Sequence, residues 1–101
     1  MNNAKTRPFD PAEYLDDIDS IAAYITDALE TGDAAFIADA LGIVARARGM
    51  SEVARKAGFS RESLYRALSA NGNPEFGTIL RVFSALGLRL AAAPSDHENV
   101  A

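Results

Sequence analysis

The sequence predicts an all-α protein of five helices. Three observations carry this. Apolar residues recur at helical spacing along most of the chain. Asp, Ser or Asn precedes these windows, and glycine follows most of them. Twenty of the 101 residues are alanine, the best helix former and one that buries little area. Such a chain builds thin, closely packed helices, and a core this small is often completed by a partner subunit. Leu88-Arg89-Leu90 alternates instead, which admits one short C-terminal strand.

The elements follow in order. Residues 1–17 form an N-terminal arm, residues 18–90 one domain, and residues 91–101 a flexible tail. The first helix is expected at about 19–31, with Ile18, Ile21, Ala22, Ile25, Ala28 and Leu29 as its apolar stripe. Asp17 or Asp19 can accept the free N–H groups at its start, and Gly32 can end it. Asp33 is the expected N-cap of a second helix to about Arg48, with Phe36, Ile37, Leu41, Val44 and Ala45 facing inward. Gly42, inside this helix, costs about 1 kcal/mol against alanine and points to a close helix crossing. Ser51 is expected to cap a short third helix ending at Gly58, and Ser60 a fourth from Arg61 to about Ala70. Asn73 and Pro74 fit the cap and first position of a fifth helix to Leu86, with Phe76, Ile79, Leu80, Phe83 and Leu86 on one face.

The window 50–68 has the form of a helix-turn-helix: two short helices joined by a tight turn containing glycine. Ala54 keeps the crossing close, and Gly58 turns the chain. Val53, Ala57, Phe59, Leu64 and Ala67 face inward. With Leu64 as the inward reference, about 100° per residue points Glu62, Tyr65, Arg66 and Ser69 outward. Arg61 and Ser63 flank that face. Arg61 and Arg66 can donate paired hydrogen bonds to guanine, and Glu62 can accept from cytosine. Ser63 and Tyr65 can touch phosphate or a thymine methyl. Arg46, Arg48, Arg55 and Lys56 flank the unit as phosphate contacts, joined by the helix starts at Ser51 and Ser60.

Charge supports this placement. The chain carries −4 in all, but unevenly. Residues 1–45 hold two bases against nine acids, a balance of −7. Residues 46–66 hold six bases against two acids, a balance of +4. A basic island in an acidic chain is what local phosphate binding needs.

Other classes fit poorly. No cysteine is present, so disulfides and thiolate metal sites are excluded. No apolar run approaches the ~20 residues of a membrane span, and no signal-peptide pattern opens the chain, so a cytoplasmic protein is expected. His97 is the lone histidine, in a polar stretch. Asp16, Asp17 and Asp19 lack the other ligands of a calcium loop. Neither an enzyme, a metal site nor a cofactor is indicated.

These residues also resemble a known family. The matching segments are Gly49-Met50-Ser51, Val53-Ala54-Arg55, the run from Gly58-Phe59-Ser60-Arg61 through Ser69, and Gly72-Asn73-Pro74-Glu75-Phe76. Phe9-Asp10, Tyr14-Leu15 and Leu86-Gly87-Leu88-Arg89-Leu90 extend the likeness to about residues 9–90. Together they resemble the addiction-module antidote family of lambda-repressor-like helix-turn-helix proteins. The resemblance implies a small antitoxin that binds a toxin of the RelE/ParE superfamily and represses its own operon as a dimer. It places operator reading on Arg61, Glu62, Ser63, Tyr65 and Arg66. The chain departs from the wider superfamily at Met50-Ser51-Glu52, where many relatives begin the first motif helix with a phosphate-contacting glutamine.

The acidic N-terminal part complements the basic surface expected of an RNA-cleaving toxin, with Phe9, Tyr14 and Leu15 as anchors or, alternatively, as cover for the domain's own core. Phe83, Leu88 and Leu90 are candidates for a two-fold dimer interface, with core burial the alternative for Phe83. Two other readings stay open: a stand-alone prophage-type repressor, and a protein-interaction module whose helix-turn-helix is only a scaffold.

Overall fold

The computed structural model describes residues 15–95. Five helices fill that span: α1 (Ile18–Glu30), α2 (Ala34–Arg48), α3 (Met50–Ala57), α4 (Arg61–Ala67) and α5 (Phe76–Ala85). The protein is all-α, and no strand occurs among the described residues. Residues 88–90 alternate in sequence but run as irregular chain, because a lone strand has no edge to pair with.

Side-chain caps set two early boundaries. Asp17 accepts from the Ser20 N–H at 2.7 Å and starts α1. Asp33 accepts from the N–H groups of Ala35 and Phe36 and starts α2. Between them the Thr31 hydroxyl donates to the Ala28 carbonyl and accepts from the Asp33 N–H. One side chain thus closes α1 and opens α2, which pack together as a helical hairpin.

Three boundaries differ from the sequence expectation. Ser51 does not cap α3; it lies exposed in the first turn, and Gly49 holds the cap position without a side-chain hydrogen bond. The start is set instead by Met50, buried as the first helical residue, and by the Val53 N–H bond to the Gly49 carbonyl. α4 ends at Ala67 rather than Ala70. Leu68 leaves helical geometry, and the chain folds back through a Gly72 N–H bond to the Ser69 carbonyl at 2.8 Å. α5 begins at Phe76, with Glu75 rather than Asn73 at the cap, because its first helical bond runs from Ile79 to Glu75.

α3 sits at the centre, packed against α2, α4 and α5. Ile21, Leu41, Val44, Leu64, Leu68 and Val82 are fully enclosed. Leu15, ahead of α1, is 3% exposed and belongs to this core. At Gly42 the packing is tight: a Cβ there would overlap the Leu68 carbonyl oxygen. The expected close approach is therefore made to the chain leaving α4.

The predicted stripes were only partly buried. Phe36, expected inward, is exposed, and so are Phe76 and Leu80 of the expected α5 stripe, Phe76 to 65%. Phe36 lies in the first turn of α2, at the end remote from α3. On α5 the buried face runs through Val82, Phe83 and Leu86, so the expected stripe is buried only toward its C-terminal end. No helix of the described residues is long and apolar enough to cross a membrane.

Candidate nucleic-acid interface

The turn between α3 and α4 is fixed by backbone bonds. Gly58 adopts φ 83° and ψ 31°, a left-handed conformation that a side chain would disfavour. Its N–H bonds the Arg55 carbonyl at 3.2 Å, and the Phe59 N–H bonds the Ala54 carbonyl at 2.9 Å. This pair of bonds is the Schellman closure of a helix. Phe59 is half-buried beneath Arg81 of α5, whose guanidinium carbon lies 4.1 Å from the ring centre. Ser60 then caps α4, its hydroxyl oxygen accepting from the Ser63 N–H at 3.0 Å.

Leu64 and Leu68 point wholly into the core. That anchoring turns Arg61, Glu62, Tyr65 and Arg66 to solvent, with Ser63 half-buried at their edge. Tyr65 is 50% exposed, and the Arg46 guanidinium stands 5.7 Å from its ring centre. This cation–π contact ties the end of α2 to the outer face of α4.

The flanking bases are less free than the outer face of α4. Arg55 pairs with Glu52 one turn earlier, its Nε donating to Oε1 at 3.3 Å, and Lys56 Nζ stands 3.9 Å from the same carboxylate. The Arg55 hydrogen bond holds the Glu52 carboxyl below its ordinary range, so the negative charge persists at neutral pH. Arg48 turns toward the chain ahead of α1, with Nη1 3.5 Å from the Asp16 carbonyl. Of the expected phosphate contacts, two share a carboxylate and a third faces the other helix pair.

The other expected contact residues divide. Leu15 and Phe83, each 3% exposed, are core residues. For Phe83 the alternative of core burial is what the fold adopts. Leu88 and Leu90 are half-buried against that core. Phe9 and Tyr14 lie outside the described residues. Sequence reasoning missed the stacking of Arg81 on Phe59, since nothing local places α5 beside the turn. It also missed the outward aim of Phe76 and Leu80. No group of acidic or histidine side chains able to hold a metal occurs among the described residues.

Comparison with known proteins bears on the whole chain. A family model described as "Probable addiction module antidote protein" matches residues 5–94. An uncharacterized protein of Haemophilus influenzae is 45% identical over 89 residues, covering 88% of this chain and 92% of that protein. No solved structure matches this chain. The length of the family match and the closeness of this relative mean that the chain belongs to the family of probable addiction module antidote proteins.

Proposed function

We propose that the chain is the antitoxin of a type II toxin–antitoxin system, neutralising a RelE/ParE-superfamily toxin and repressing its own operon. It works in the cytoplasm, where its operator is. The single observation that carries the DNA-reading half is the outward face of α4. Arg61, Glu62, Tyr65 and Arg66 are exposed on a helix that Leu64 pins to the core, within a segment of balance +4. A short rigid helix presenting paired donors and an acceptor suits the major groove, which alone distinguishes all four base pairs. Arg46, Arg55 and Lys56 set the register on phosphate oxygens, with Arg48, Ser51 and Ser60 at the margin.

A single such unit reads only a short half-site, so the operator is a palindrome with half-sites ~34 Å apart, bound by a two-fold dimer. With Phe83 committed to the core, Phe76 and Leu80 are the apolar residues of α5 open to that pairing. They stand one helical turn apart on one face.

Fluorescence anisotropy with the chain's own promoter DNA tests the repressor half. Binding should weaken steeply as salt rises and should favour promoter over scrambled DNA. Equal affinity for both would sink operator reading. Co-expression with the product of the adjacent reading frame tests the antitoxin half: growth should recover and the two proteins should co-purify.

A further inference from the structure

We propose that the groove between α1 and residues 88–95 seats a basic amphipathic segment of the toxin; this rests on the antitoxin reading above. The groove holds about 730 Å³. Its floor is Ile25 and Phe83, both core residues, and its walls include Leu29, Leu88 and Leu90. Glu30 stands on the α1 rim and Arg89 on the opposite wall.

The groove exists because of how α5 ends. The Gly87 N–H bonds the Ser84 carbonyl and the Leu88 N–H bonds the Phe83 carbonyl at 2.8 Å, the same closure that ends α3. The chain is thereby turned back past α1, leaving a trough rather than a continuous surface. On α1, residues 22, 25, 26, 29 and 30 face this trough, at the spacing of a helix stripe beside the core stripe. Leu29 is 36% exposed there, with no neighbour of its own chain covering it fully.

Charge selects the occupant. The α1 side is acidic, with exposed Asp27 one turn before Glu30 and no lysine or arginine anywhere in residues 15–45, while the facing wall carries Arg89. An apolar floor with such a rim favours an apolar ridge edged by lysine or arginine on the side that meets α1, over a neutral helix or an acidic one. The lining includes no residue of α3 or α4, so the occupant and DNA use separate surfaces.

The test uses the full chain and the product of the adjacent reading frame, titrated by calorimetry. Leu29→Arg blocks the trough with a like charge for the partner, and Asp27→Lys with Glu30→Lys reverses its flank. Both sets change exposed side chains, and helical circular dichroism and promoter binding report that folding and the α4 face are intact. We expect each set to weaken toxin binding at least tenfold, with promoter affinity unchanged. Hydrogen exchange should slow at 22–30 and 88–95 in the complex. Full toxin affinity in both sets, or slowed exchange confined to other segments, overturns the groove assignment while leaving the antitoxin reading intact. A change in sedimentation of the free Leu29→Arg chain means that a second copy fills the trough, which also overturns it. Failure of the unaltered chain to bind the adjacent product overturns the antitoxin reading and, with it, this one.

Discussion

The α1–α2 hairpin and the α3–α4 unit are built from the same parts, short capped helices over aliphatic residues, yet their surfaces are opposite. The hairpin carries no basic residue until Arg46, whereas the segment from Arg46 to Arg66 carries six. The hairpin's acids at 17 and 33 are used locally, as caps. Of the second unit's six bases, Arg46, Arg48, Arg55 and Lys56 each make an intramolecular contact, and Arg61 and Arg66 stand exposed on α4. Surface charge therefore separates the two units while stability is shared through one core. A mutation can strike one surface alone only if it spares that core.

The comparison breaks most severely in the core itself. Leu41→Ala should cost ~2–5 kcal/mol, because a fully enclosed leucine leaves a cavity where the two units meet. Chemical denaturation would measure it, and loss of promoter and toxin binding should follow together. Next in size, Arg61→Ala combined with Arg66→Ala should weaken promoter binding about a hundredfold, each paired contact to a base being worth ~1–3 kcal/mol. Thermal melting should not move. Intact promoter binding in this variant would remove α4 as the reading helix. Gly42→Ala is smaller: the clash with the Leu68 carbonyl should cost ~1–3 kcal/mol, detectable as a lowered melting temperature.

The smallest expected effect has the opposite sign. Glu52→Gln should tighten DNA binding roughly two- to fivefold, since it releases two bases from an exposed ion pair. The carboxyl's titration lies below its ordinary value, so the pair is present above that range and lost as the pH falls through the lowered value. The advantage of the variant over the native chain should therefore shrink in acid. Anisotropy at matched salt across a pH series reads this, and an advantage that grows in acid would contradict the pairing.

What was legible in the sequence was local. Asp17, Asp33 and Ser60 cap their helices through bonds reaching only two or three residues, so composition at those positions was enough. The order of elements, the glycine turn and the inward aim of Leu64 followed from spacing alone. What failed depended on distant parts. Ser51 has the chemistry of a cap, but burial of Met50 moved the helix start ahead of it. Phe36 and Phe76 fit apolar stripes, yet a stripe names a face and not the element that covers it. The groove was illegible for the same reason: it needs α5 to end in a turn that sends Leu88 back toward α1.

Gly42 gives the sequence a readable signature beyond its own fold. Because a backbone oxygen occupies the place of its Cβ, no flexible neighbour can yield to a larger residue. Relatives that keep this crossing should have glycine there, at the same distance ahead of the turn glycine at 58. Those with any other residue at that position must seat the chain that leaves α4 at a different angle against α2.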